Sequence, residues 1–248
     1  ITMGIDYMIE FNIDAAVAPA VMEKFNAANI PVVAIDVLHP GAIYFGADNA
    51  RAGQIAGEAA ADYVNEKWGG EYDYLLIITQ MAAGEVAATR TGNVRVGMEN
   101  KGIQVPDDKY VEIEGQNDAQ VAQARVADFL MAHPDAHKIV VGTNNDITAA
   151  GAHAAAETAG REFDIAVFSQ NSTAVFVEPM YEKQGNWSFI GSVGYFPDRY
   201  GEWVFPIIDK LVAGEPVEEN YYIDHVFIDW SNISQYYPLD NLPWKNLG

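Results

Sequence analysis

Apolar positions along the chain follow two alternating patterns. Unbroken apolar runs such as Pro31-Val32-Val33-Ala34-Ile35 and Tyr74-Leu75-Leu76-Ile77-Ile78 predict strands covered on both faces. Between them, apolar residues recur at helical spacing. A short strand is predicted over Asp6–Phe11. A helix follows, with Asp14 as N-cap and Val17, Val21, Met22 and Phe25 on one face. Pro31–Asp36 is the second strand. Further strands are predicted at Tyr74–Thr79, Tyr110–Glu114, Lys138–Gly142, Asp164–Ser169 and Trp187–Val193. Helices are predicted at 88–101, at Ala119–Ala132 (stopped by His133-Pro134), at Ile147–Ala159 (closed by Gly160) and at Tyr200–Ala213 (closed by Gly214). Strands alternating with helices of this length indicate βαβ units, hence an α/β fold with parallel sheets. The tail from Trp230, rich in aromatics, Asn and Pro, reads as an irregular packed segment.

Charge narrows the functional classes. The 248 residues carry 14 Lys and Arg against 35 Asp and Glu, a net charge of −21. Such a chain repels phosphate backbones and anionic membrane faces, so nucleic acid is not an expected partner. No apolar run is long enough to insert into a membrane. The opening Ile1-Thr2-Met3-Gly4 lacks the basic and apolar regions of a signal peptide. Half the residues are hydrophobic, enough for a sizeable core.

The common catalytic and cofactor signatures do not occur. With no Cys there is no disulfide framework, thiolate metal site or cysteine nucleophile. Of the histidines (His39, His133, His137, His153 and His225), only His133 and His137 have i, i+4 spacing, and Pro134 interrupts them. There is no HExxH, GxSxG or GxxxxGK[ST], and no GxGxxG following a strand, so neither metal nor cofactor is expected. No pair of carboxylates is placed as a glycosidase dyad. Asn171, Asn186 and Asn232 begin Asn-X-Ser/Thr triplets, which matter only in a glycosylating source.

Polar residues at the C-terminal ends of predicted strands carry more information. Asp36 ends one strand, Asn144-Asn145-Asp146 follows another, and Ser169-Gln170-Asn171 ends a third. Open α/β sheets bind ligands outside those ends. Helix capping explains such residues equally simply and is the better reading for Asp146. It explains Asp36 less well, because His39-Pro40-Gly41 intervenes before any helix. Amides with one or two charges suit a polyhydroxyl ligand, since each hydroxyl both donates and accepts.

The stretch Gly4–Asp36, the Gly46-Ala47-Asp48-Asn49 segment with Ala52-Gly53, the Asn145-Asp146…Gly151-Ala152 segment with Ala159-Gly160-Arg161, and Tyr195-Phe196-Pro197…Gly201 occur in one order. Together they resemble the type I periplasmic binding proteins for sugars. The resemblance implies two Rossmann-like lobes joined by three crossovers, with sugar held in the cleft. It implies an N-terminal lobe of 1–47 and 196–224 that lacks its first strands and helices, and a C-terminal lobe of 48–195 and 225–248. Carried over position by position, Asp36 is the acid that takes sugar hydroxyls and Arg90 the clamp on ring oxygen and hydroxyls. Asn145 is the cleft asparagine. Gln170 stands in the place of a common aspartate, and Tyr195 in that of a glutamine or asparagine. Asn117 falls where an apolar or aromatic residue often stacks, and Phe11 and Asn12 end the first strand.

The implied function is capture of a carbohydrate for delivery to the membrane subunits of an ABC importer, without catalysis. The location would be periplasmic or otherwise extracytoplasmic, lipid-anchored in a Gram-positive source. Two other readings stay open: the effector core of a lac-repressor-like regulator, and an α/β enzyme acting on sugars. The resemblance also predicts that Asp6–Phe11 and Pro31–Ile35 pair in parallel, and that Ile9, Val33 and Ile35 are left short of apolar cover.

Overall fold

A computed structural model describes residues 1–12 and 16–246. In chain order the first elements are β1 (Met8–Glu10), α1 (Ala18–Ala27), β2 (Val32–Ile35), β3 (Ile43–Gly46) and α2 (Asn49–Trp68). Then come β4 (Tyr74–Thr79), α3 (Gly84–Asn100), β5 (Tyr110–Glu114), α4 (Ala119–Ala132), β6 (Ile139–Thr143) and α5 (Asp146–Thr158). The remainder is β7 (Ile165–Asn171), α6 (Ala174–Lys183), β8 (Phe189–Gly194), α7 (Tyr200–Ala213), β9 (Asn220–Tyr222), β10 (Phe227–Asp229) and α8 (Ile233–Tyr236). Short 3-10 turns join several of them. Asp14, expected to cap the first helix, lies outside the described residues; α1 begins after Val17.

The chain divides into two compact units, Ile1–Asp48 with Phe196–Asp224 and Asn49–Tyr195 with His225–Gly248. Unit 1 holds a parallel sheet in the order β1-β2-β3-β9. Met8 pairs with Val32 and Glu10 with Ala34, so the first two strands are neighbours as expected. The expected loss of cover is not seen at β2: Val33 and Ile35 are buried, and only Ile9, on the edge strand, is 42% exposed. Edge position explains this, because a marginal strand has a neighbour on one side only.

Unit 2 is built on a sheet in the order β10-β8-β7-β6-β4-β5, parallel except where β10 runs against β8. Leu75, Leu76, Ile77 and Ile78 of β4 and Ile139, Val140 and Val141 of β6 have no exposed surface. Their continuous apolar character is what a parallel sheet covered by helices requires.

Three elements have weak sequence signatures. The buried face of α2 is Ala52, Gly53, Ala56, Gly57, Ala60, Ala61 and Val64. Small residues there let α2 and α3 touch backbone to backbone: a Cβ on Gly53 would overlap the Arg90 carbonyl oxygen, and one on Gly57 that of Val94. Helix α6 carries Pro179 in its interior, which breaks a periodic reading. The third, β3, has only four residues.

Candidate functional site

In a parallel sheet the C-terminal strand ends share one edge. In unit 2 that edge gathers Gln80 after β4, Gln116 and Asn117 after β5, Asn144 and Asn145 after β6, Gln170 near the end of β7 and Tyr195 after β8. Arg90 reaches this group from the second turn of α3.

Arg90 is held on three sides. Its Nε donates to Asn49 Oδ1 at the start of α2 (2.9 Å), and its Nη1 donates to the Asn144 carbonyl (3.0 Å). The guanidinium carbon lies 4.9 Å from the centre of the Tyr195 ring, a cation–π distance. The bare faces of Gly53 and Gly57 set α3 against α2 and thereby bring Arg90 to Asn49. Beneath it, Tyr195 Oη donates to Gln170 Oε1 (3.2 Å), while Gln170 Nε2 donates to the Ala52 carbonyl (3.3 Å). Gln170 and Tyr195 are buried and joined to each other, with the Tyr195 ring against the Arg90 guanidinium.

Asn145 is the N-cap of α5. Its Oδ1 accepts from the Thr148 amide (3.1 Å), while its Nδ2 donates to Asn117 Oδ1. Capping had been the expectation for Asp146; that reading is corrected. Asp146 is the first residue of the helix and points inward, where its Oδ1 accepts from the Ser192 hydroxyl (2.6 Å) and its Oδ2 from the Thr173 amide (2.6 Å) and hydroxyl (2.9 Å). Full burial pushes its carboxyl up to about 6, against the pull of the Ser192, Thr173 and Ser169 hydrogen bonds. It ties α5 to the β7–α6 loop and to β8, so its role is internal. Asn117 is exposed in a left-handed turn with Gln116 (φ 54° and 52°).

In unit 1, Asp36 sits just past β2 in the left-handed region (φ 59°), which Asp tolerates. A Cβ on Gly46 would stand 2.6 Å from Asp36 Oδ1, so only glycine permits this close approach. The Tyr200 hydroxyl donates to both Asp36 oxygens at 3.1 Å. Phe45 packs edge-on against the Tyr200 ring (centroids 5.1 Å apart) and fixes it. Phe11 is exposed and Asn12 half-buried just past β1. Asn49 and Tyr200 are not among the candidate residues, and Asn144 stands only among the strand-end polar residues without a role. Asn49 and Asn144 stand within quoted segments, but the Tyr200–Asp36 contact joins residues too distant along the chain to be read from either.

Two hollows lie at the opposite edge of the unit 2 sheet, near the N-terminal ends of β4, β5 and β6. One, of about 440 Å³, is lined by Asp73, Asp108, His133 and Asp135 among others. The second, of about 650 Å³, shares Asp73, Lys109 and Asp135 with it. No group of three or more His, Asp or Glu among the described residues could hold a metal ion. No helix among the described residues is long and apolar enough to cross a membrane.

Residues 1–216 match the family model described as periplasmic binding protein domain. The chain belongs to this family. It is 31% identical over 208 residues to the ribose import binding protein of Escherichia coli, covering 80% of this chain and 63% of that protein. The chain therefore spans less than two thirds of the length of the curated relatives it matches. Among solved structures, a periplasmic ribose ABC transporter protein from Conexibacter woesei is similar over 98% of this chain and 78% of its own (TM-score 0.79, 15% identity). A periplasmic solute-binding protein from Actinobacillus succinogenes with bound D-allose is similar over 95% and 82% (TM-score 0.78, 17% identity). These structural likenesses establish the shared α/β fold with parallel sheets, the type I architecture.

Proposed function

We propose that this member of the periplasmic binding protein family captures a carbohydrate and passes it to the membrane subunits of an ABC importer, without chemical turnover. The ribose import function of the Escherichia coli relative supports the transport role. The observation that carries the proposal is the edge of amides around a fixed arginine: Arg90 offers donors, and Asn117 and Asn145 offer both donors and acceptors, which suits the dual character of sugar hydroxyls. Arg90, Asn145 and Asn117 are the ligand contacts of unit 2, with Gln170 and Tyr195 holding Arg90 from beneath. In unit 1, Asp36, oriented by Tyr200, is an acceptor for hydroxyls, and Phe11 with Asn12 adds contact surface. The two units correspond to the two lobes of the family. The working location is extracytoplasmic, with a lipid anchor in a Gram-positive source.

Thermal denaturation against a panel of pentoses, hexoses, polyols and disaccharides tests this reading. A sugar at 100 times its dissociation constant adds about 2.7 kcal/mol of stability. Stabilisation by at least one sugar, with the sugar recovered unchanged, is expected. No stabilisation across the panel, or conversion of a bound sugar, would overturn it.

A further inference from the structure

In a chain with 35 acidic and 14 basic residues, arginines find carboxylates easily. Arg51 reaches Glu58 at 2.5 Å, Arg95 reaches Glu99 and Asp107 at 3.1 and 2.8 Å, Arg161 reaches Asp164 at 2.8 Å, and Arg199 reaches Glu202 at 2.9 Å. Arg90 differs. Each of its partners among the described residues is neutral: the Asn49 amide oxygen, the Asn144 carbonyl and the Tyr195 ring. Of the carboxylates that directly follow edge residues in the chain, Asp146 spends both oxygens on Ser192 and Thr173, and Asp118 turns Oδ1 to the Gln120 and Val121 amides of its own helix. Glu114 spends both of its own on the Met81 and Gln116 amides.

A guanidinium has five N–H donors in a planar fork, and the protein uses one on Nε and one on Nη1. The terminal edge, Nη1 with Nη2, is left to meet a planar, two-oxygen acceptor. On the same edge, the exposed Asn117 and half-buried Asn145 carry amides that donate to and accept from hydroxyls. A group with both a negative two-oxygen acceptor and hydroxyls matches the arginine and the amides together. The net charge of −21 is a weak obstacle, because charges more than about 8 Å away are largely screened at physiological ionic strength.

We infer that the ligand of this edge is a carboxylate-bearing sugar, a uronic or aldonic acid, whose carboxylate is taken by the Arg90 fork. The inference rests on the carbohydrate-capture reading and sharpens it to a charge class.

Calorimetric titration of the protein with D-galacturonate, D-glucuronate and D-gluconate, set against D-galactose, D-glucose, glucose 6-phosphate and acetate, tests it. At least one sugar acid should bind about tenfold or more tighter than its neutral counterpart, with affinity falling as salt rises. Arg90→Gln should abolish that advantage while leaving the melting temperature and circular dichroism near wild type. Arg90→Lys, which keeps the charge without the fork, should retain only part of it. Neutral sugars binding as well as or better than the acids would overturn the inference and leave the capture reading standing. Tighter binding of glucose 6-phosphate would overturn the choice of carboxylate, and acetate binding as tightly as the sugar acids would overturn the sugar requirement. Binding of none of these compounds would overturn this inference, while the capture reading stands or falls on the wider panel of pentoses, hexoses, polyols and disaccharides.

Discussion

In unit 2, β4 and β6 lie inside a six-stranded sheet, and their aliphatic side chains are sealed from solvent. In unit 1, the four-stranded sheet has short outer strands, β1 and β9, of three residues each, with Ile9 and Tyr222 exposed. A fully buried aliphatic side chain contributes about 1.5–3 kcal/mol, so unit 2 holds most of the apolar stabilisation. Site residues follow the same division. Arg90, Asn145, Gln170 and Tyr195 are cross-braced on a closely packed scaffold, and in unit 1 Asp36 accepts from the Tyr200 hydroxyl beside the shorter sheet. Precise recognition is best placed where neighbouring side chains fix geometry, and unit 2 provides that.

Substitutions can break or sharpen this contrast. The largest effect should come from Leu76→Ala in β4, which leaves a cavity in a sealed core and should cost about 2–5 kcal/mol in urea denaturation. Asp146 comes next. Its carboxyl is raised from 3.8 to about 6, so the neutral form is favoured in the folded protein. Its contribution is fully present below about pH 4 and is lost as pH rises through 6, a swing of about 3 kcal/mol. Wild type should therefore gain stability on going from pH 7 to pH 5, and Asp146→Asn should gain distinctly less; equal gains would show that the burial of this acid is not what sets the pH response. Gly53→Ala and Gly57→Ala should each cost about 1–3 kcal/mol by forcing α2 from α3. Only Gly53→Ala, which displaces the Arg90 carbonyl directly, should weaken ligand binding beyond its effect on folding. Smallest of all, Ile9→Ala on the exposed edge of unit 1 should change stability by no more than about 0.5 kcal/mol. A loss near that of Leu76→Ala would contradict the contrast between the sheets.

Much of the fold was legible where local signals were unmixed. The bounds of β4, β5, α4 and α7 match the sequence expectation residue for residue. The strand β4 is an uninterrupted apolar run, α4 is capped by Asp118 and stopped before Pro134, and α7 ends at Gly214 in the left-handed conformation. Helix α2 was missed because its buried face is alanine and glycine, which carry almost no hydrophobic contrast. The candidate site can be read from the sequence as a set of strand-end residues but not as an arrangement. That Asn145 caps while Asp146 turns inward depends on Ser192 and Thr173, which are brought to α5 only by the assembled sheet. The burial of Gln170 under Tyr195 likewise depends on the α2 backbone at Ala52.

Ligand capture at the C-terminal edge of the unit 2 sheet, around Arg90, is what the proposed function requires. Side-chain NMR tests it most directly, by titrating labelled protein with the sugar that gives the largest thermal stabilisation. The Arg90 Nε–H and the Asn117, Asn144 and Asn145 amide resonances should shift together and saturate at the calorimetric dissociation constant. Shifts gathered instead around Asp73, Lys109, His133 and Asp135, at the opposite edge of the same sheet, with the Arg90 signal unmoved, would contradict it.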